Sequence, residues 1–178
     1  PLVSADAPAA IRDAFEFYDV GVVCTDPGSD TYADYRCDYE LWDCENNIFL
    51  YLGCNMYSEV FSDDAVRSAL VRAIDRDTIS GSYYRGFARS ASLPASPLSP
   101  YYNQTLASRY SYDGGEALKT ALADTGKTGA EILLLVNSDD SLRLRVARDI
   151  AKMLTDCGLT VTMQEFGSAT YKNALRNG

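Results

Sequence analysis

The chain has 178 residues, 47% hydrophobic and 23% charged, a composition that excludes a disordered tail and is long enough to bury a core. A formal net charge of −9 and a pI near 4.4 give a surface that repels phosphate backbones and anionic membranes, which argues against a nucleic-acid partner. Histidine is absent, and with it the commonest general base, the commonest zinc ligand and the Ser/His and Cys/His nucleophile pairs.

Taken in chain order, residues 9–18 place Ile11, Ala14, Phe15 and Tyr18 at helical spacing. "DVGVVCTD" is a short β-branched run that predicts a strand, stopped by the turn signal Asp26, Pro27, Gly28. The Tyr- and Asp-rich stretch 29–47 has no clean period and reads as irregular. Residues 48–54, "IFLYLGC", predict a second, buried strand. "FSDDAVRSALVRAIDRDTI" then predicts one amphipathic helix capped by Ser62 and ending near residues 78–81. In it Val66, Ala69, Leu70, Ala73 and Ile74 face inward, while Arg67, Arg72, Asp75 and Arg76 face solvent.

Residues 83–112 are rich in Pro, Ser and Tyr and predict an ordered loop laid over the surface, or a binding segment. "GEALKTALADTG" is a helix closed by Gly126. "EILLLVN" predicts a buried strand. "SDDSLRLRVARDIAKMLTDCG" predicts a helix capped by Ser138, with Leu142, Val146, Ile150, Leu154 and Cys157 inward and Gly158 as its stop. "LTVTMQE" alternates as a strand, and "SATYKNALRNG" begins another helix. Strand, long helix and strand with short connections predict a right-handed βαβ unit with parallel strands. The fold class is α/β.

No constellation here is an enzyme signature, and nothing calls for a cofactor. "TDPGSD" and "YDGGE" are turns, with neither a dinucleotide fingerprint nor a P-loop lysine. "NSDDS" lacks the spacing and terminal Glu of a calcium loop. The pairs Asp63, Asp64 and Asp139, Asp140 sit at helix starts, where the dipole accounts for them. Tyr32, Tyr35, Tyr39, Trp42 and Tyr57 suit a ligand pocket, but packing is the default for such aromatics. The cysteines, Cys24, Cys37, Cys44, Cys54 and Cys157, contain no C-x-x-C pair. They leave three readings open: reduced small hydrophobes, disulfides among the first four, or a metal site.

"LYLGCNMYSEVFSDDAVRSALVRAIDRDTI" resembles the central signature of the family 5 extracellular solute-binding proteins, the oligopeptide/dipeptide-binding type that feeds ABC importers. There, a strand ending in Asn precedes a helix of pattern F-x-D-x-x-V-R-x-A-L-x-x-A-I-D-R-x-x-I. Asn55, Phe61, Asp63, Val66, Arg67, Ala69, Leu70, Ala73, Ile74, Asp75, Arg76 and Ile79 fill it. "YDVGVVCTDP" is similar to the family's G-x-V-D-x-V strand, with Val22 or Val23 in place of the acid. "YSYDGGEALKTALADTG" is similar to a family helix that often carries Ala where Thr125 stands.

The resemblance implies part of a two-lobed, periplasmic-binding-protein-like fold: residues 1–56 as the edge of the first lobe and the crossing strand, residues 57–178 as an incomplete second lobe. It implies a substrate-binding component of an ABC-type importer that captures peptides or a similar small solute and hands it to permease subunits. The expected location is the outer face of the cell membrane or the periplasm, with any lipid anchor outside this chain. Beginning at Pro1 without Met and stopping within a helical pattern, the chain reads as a piece of a longer protein. Ligands of α/β folds gather at the carboxyl ends of strands. The ligand-contacting residues implied are therefore Thr25 and Asp26 at one strand end and Asn55, Met56 and Tyr57 at the crossing. The alternative is a sensor, the same binding fold in a cytoplasmic transcriptional regulator, which suits five cysteines. A carboxylate hydrolase is the third reading.

Overall fold

The computed structural model describes residues 7–24, 34–42 and 48–177. Helix α1, Pro8–Glu16, starts with proline at its first position, where the missing N–H is harmless. The segment after residue 34 folds back on it. Phe15 and Tyr35 meet at a 35° tilt with centroids 5.2 Å apart, Tyr35 meets Tyr39 edge-on at 5.5 Å, and the Arg36 N–H donates to Glu16 Oε1 at 2.8 Å.

Neither of the first two predicted strands forms among the described residues. Residues 20–24 and 48–54 run without regular structure, with Val22 89% and Ile48 72% exposed. An apolar run supplies side chains for a sheet but not the neighbouring backbone that a ladder requires, and among the described residues no strand pairs with either segment. Only Leu52 and Cys54 turn inward, against the core.

The single helix expected over residues 62–81 is two. Helix α2, Asp64–Ala73, is capped by Asp63, whose carboxylate accepts from the Ala65 N–H at 2.8 Å; Ser62 instead donates its hydroxyl to the Glu59 carbonyl. The chain leaves helical geometry at Ile74 (φ −102°, ψ 117°). It restarts as α3, Arg76–Tyr84, with Asp75 as a new cap accepting from the Thr78 N–H at 3.0 Å and the Thr78 hydroxyl at 2.8 Å. A side chain that satisfies two donors of the second helix outcompetes one more turn of the first. Asp63→Ala is expected to cost about 1 kcal/mol in urea denaturation. Ser62→Ala should cost less, the reverse of the order the sequence suggests.

Helix α4, Gln104–Ser108, is a short turn inside the long loop, and α5, Glu116–Asp124, follows it. Gly126 closes α5 at φ 68°, with the Lys127 N–H returning to the Leu122 carbonyl at 2.7 Å. Strand β1, Glu131–Asn137, helix α6, Ser141–Asp156, and strand β2, Thr160–Phe166, form the expected βαβ unit. β1 and β2 are parallel in register from Glu131 opposite Thr160 to Asn137 opposite Phe166. Asp140, not Ser138, caps α6, and β1 is only half covered, with Leu133 exposed. Helix α7, Ser168–Asn177, packs on both strands.

The core lies where α2 crosses α5 and meets the end of α6. It holds Val66, Leu70 and Ala73, Leu118 and Leu122, and Leu154, Cys157 and Leu159. Of the inward face read for α6, Leu154 and Cys157 are buried; Leu142, Val146 and Ile150 are half-buried. Tyr83 ties α3 to α6, donating to Asp149 Oδ2 at 2.6 Å beneath the Arg145 guanidinium. Its bond to the carboxylate favours the neutral phenol, so its pKa is raised. The contribution is complete below the unfolded tyrosine value of about 10 and is lost as pH rises through the higher folded value. Wild type is therefore expected to lose more stability than Tyr83→Phe between pH 9 and 11, read by urea denaturation at each pH.

Candidate functional site

Asn55, Met56 and Tyr57 come together in one tight turn that joins the irregular segment 48–54 to α2. The Asn55 side chain builds it. Its Oδ1 accepts from the Tyr57 N–H at 2.9 Å, while its carbonyl accepts from the Ser58 N–H at 3.1 Å. An Asn that hydrogen-bonds its own backbone two residues on reproduces a turn without glycine. Ser58 continues the pattern, its hydroxyl accepting from the Phe61 N–H at 3.1 Å and its carbonyl from the Ser62 N–H at 2.9 Å.

The turn rests on a fixed base. Val60 is buried, and its carbonyl receives Lys127 Nζ at 3.4 Å. Arg67 reaches back from α2 to donate to the Phe61 carbonyl at 2.6 Å and the Ser62 carbonyl at 2.9 Å, and pairs with Asp64. Below the turn, Cys54 packs against the core, and burial pushes its thiol pKa up, with Arg67 opposing. Above that base Tyr57 is 99% and Met56 62% exposed. The turn thus presents an aromatic ring and a thioether, both adaptable apolar contacts, from a backbone that does not need to reorganise.

Thr25 and Asp26 lie outside the described residues, as do Tyr32 and Cys44. Of the other aromatics read as pocket candidates, Tyr35 packs on Phe15 and meets Tyr39 edge-on, and Trp42 is exposed with its indole N–H donating to Glu40 at 3.0 Å. Cys24, Cys37, Cys54 and Cys157 are free thiols. Among the described residues no three of the Cys, Asp and Glu side chains gather to hold a metal, and no helix is long and apolar enough to cross a membrane.

At the carboxyl end of the βαβ unit, polar groups are consumed by the fold. Asn137 Nδ2 donates to Ser168 Oγ at 3.1 Å, and Asp139 Oδ2 accepts the Ser168 N–H at 2.8 Å. That backbone bond holds the Asp139 pKa below the usual carboxylate range. Asp139 thereby satisfies the first backbone donor of α7.

Sequence reasoning missed Arg76. A helical wheel puts it on the solvent face. With the helix broken at Ile74, it turns back instead, donating from Nη1 to the Val71 carbonyl at 2.5 Å and from Nη2 to the Tyr110 carbonyl at 2.5 Å and Ser92 Oγ at 3.2 Å. The signal was present: Asp75 with Thr78 three residues on is a capping pattern inside the helical run.

Comparison with known proteins agrees with this architecture. Residues 22–178 match the model of the bacterial extracellular solute-binding proteins, family 5 Middle. The oligopeptide-binding protein AppA of Bacillus subtilis is 30% identical over 130 residues, covering 65% of this chain and 24% of that protein. Its structure in complex with a nonapeptide superposes with a TM-score of 0.59 at 21% identity, over 93% of this chain and 36% of that one. DppA from Helicobacter pylori in complex with the peptide STSA gives a TM-score of 0.57 at 26% identity, over 66% and 22%. NikA from Brucella suis in complex with Fe(III)-EDTA gives 0.60 at 22% identity, over 70% and 27%. The chain spans about a quarter of the curated relative it matches. It is an α/β part of a periplasmic-binding-protein fold, and it belongs to the bacterial extracellular solute-binding proteins of family 5.

Proposed function

We propose that this chain is part of the receptor of an ABC-type importer that captures peptides outside the cell, with Asn55, Met56 and Tyr57 contributing to the ligand cleft. The observation that carries the reading is the turn they form, a rigid support for two exposed apolar side chains at the entrance to α2. Kinship supports peptide over other solutes, because the relative at 30% identity is an oligopeptide-binding protein and the DppA structure at 26% holds a peptide. Structures holding a metal chelate or stachyose have the same fold at 22% identity. In this reading residues 1–56 belong to the first lobe and its crossing strand, and residues 57–178 to the second. The receptor works at the outer face of the membrane or in the periplasm, held there by a lipid anchor or free, and delivers its solute to permease subunits.

Isothermal titration of the full-length parent against short peptides, metal chelates and oligosaccharides tests the assignment. Saturable binding of peptides alone is expected; saturation by a chelate or sugar with none by peptides would overturn it. The 178-residue chain alone is expected to bind peptides weakly or not at all, because one side of a cleft cannot close on a ligand.

A further inference from the structure

Glu59 stands two residues after Tyr57 on the same fixed stretch of backbone. The Ser58 carbonyl accepts from the Ser62 N–H at 2.9 Å, the Glu59 carbonyl from the Ser62 hydroxyl at 3.0 Å, and the Val60 carbonyl from Lys127 Nζ at 3.4 Å. Ser58 is half-buried and Val60 buried, so beyond Asn55 this stretch presents Met56, Tyr57 and Glu59 to solvent. The acids that follow are already matched. Asp63 caps α2 and has Lys127 Nζ at 3.8 Å, and Asp64 pairs with Arg67, whose guanidinium also holds the Phe61 and Ser62 carbonyls. Among the described residues no cation pairs with the Glu59 carboxylate. The turn thus carries an uncompensated negative charge beside an exposed ring, in a chain whose formal net charge is −9.

We infer, on the basis of the peptide cleft proposed at this turn, that its ligands are peptides with a basic side chain, a lysine or arginine that lies over Tyr57 and pairs with Glu59. Residues two apart are separated by at most about 7 Å of backbone. A ring face holds a cation within about 6 Å and a carboxylate holds one within about 4 Å, so a single ammonium or guanidinium group can meet both. Met56 supplies an adaptable apolar surface for the methylene stem of the same side chain. Each contact is weak in open water, and closing the cleft strengthens both by excluding solvent. The negative field of the whole chain draws basic peptides in and repels acidic ones.

Calorimetric titration of the full-length parent reads this selection, using peptides of one length with Lys, Gln or Glu placed in turn at each internal position. The free amino terminus is common to all of them, so any difference belongs to the side chain. At the best position the Lys peptide is expected to bind roughly fivefold or more tightly than its Gln counterpart, with the Glu peptide weakest. Glu59→Gln should bring the Lys and Gln peptides within about twofold of each other, and Glu59→Lys should turn the preference toward Glu. Glu59 gives the fold its backbone carbonyl, which both variants keep, so their urea midpoints should match wild type. No Lys preference at any position, or an equal preference in Glu59→Gln, would overturn the inference while peptide binding and its sensitivity to Tyr57→Ala stand. Absence of binding by every peptide would overturn the cleft itself, and this selectivity with it.

Discussion

Gly115→Ala is expected to destabilise the chain by about 3 kcal/mol, the sum of backbone strain and a steric overlap. Gly115 caps α5 at φ 84°, a conformation that costs an L-residue roughly 1–2 kcal/mol. A Cβ there would also overlap Cys157 Sγ, with Ala73 closing the remaining space at 3.9 Å. Cys157 is buried in the core at the end of α6, so moving its sulfur aside disturbs close-packed neighbours. Two controls separate the causes. Gly114, at φ 76° with open space around its missing side chain, should lose only the backbone component on replacement by Ala. Cys157→Ala removes the sulfur, so the Gly115→Ala/Cys157→Ala double variant should be more stable than the sum of the singles by about 1 kcal/mol or more. Strict additivity in urea denaturation would show that the sulfur contact is not the source.

The second large effect is at Leu118. It has no exposed surface and lies with Leu122 on the face of α5 that packs on α2. Leu118→Ala should cost about 3 kcal/mol, through lost apolar transfer and the cavity left behind. The urea midpoint should fall without a change in slope. Leu175→Ala, on the exposed side of α7, should change stability by less than about 0.5 kcal/mol. Equal effects at the two leucines would mean that the α2–α5 layer is not the centre of the fold.

The C-terminal half was legible from sequence because its signals are local. Gly126 and Gly158 stop helices at positive φ, and the apolar runs of β1 and β2 flank a long amphipathic helix. The first half was less so, for a different physical reason at each place. Residues 20–24 and 48–54 have the apolar content of strands, but strand formation depends on a neighbouring backbone that side-chain pattern does not encode. Ser62 and Asp63 are both good caps. Only the backbone, extended at Asp63, decides between them. At residues 74–76 the apolar period continues straight through the break, so periodicity hides both the Asp75 cap and the inward turn of Arg76. Of the implied ligand residues, the grouping of Asn55, Met56 and Tyr57 follows from one Asn side chain bonding locally, a property readable from the sequence.

Calorimetric titration of the full-length parent and its Tyr57→Ala variant with one saturating peptide decides whether the 55–57 turn forms part of a peptide cleft. Tyr57 touches nothing that holds the fold, being 99% exposed, so its truncation leaves stability intact and isolates the binding contribution. An aromatic anchor in a closed interface is worth about 2 kcal/mol, roughly thirtyfold in Kd. Wild type is expected to saturate, and the variant to lose affinity by that order. Unchanged affinity in Tyr57→Ala would contradict a cleft formed at this turn, and failure of the parent to bind any peptide would contradict peptide capture itself.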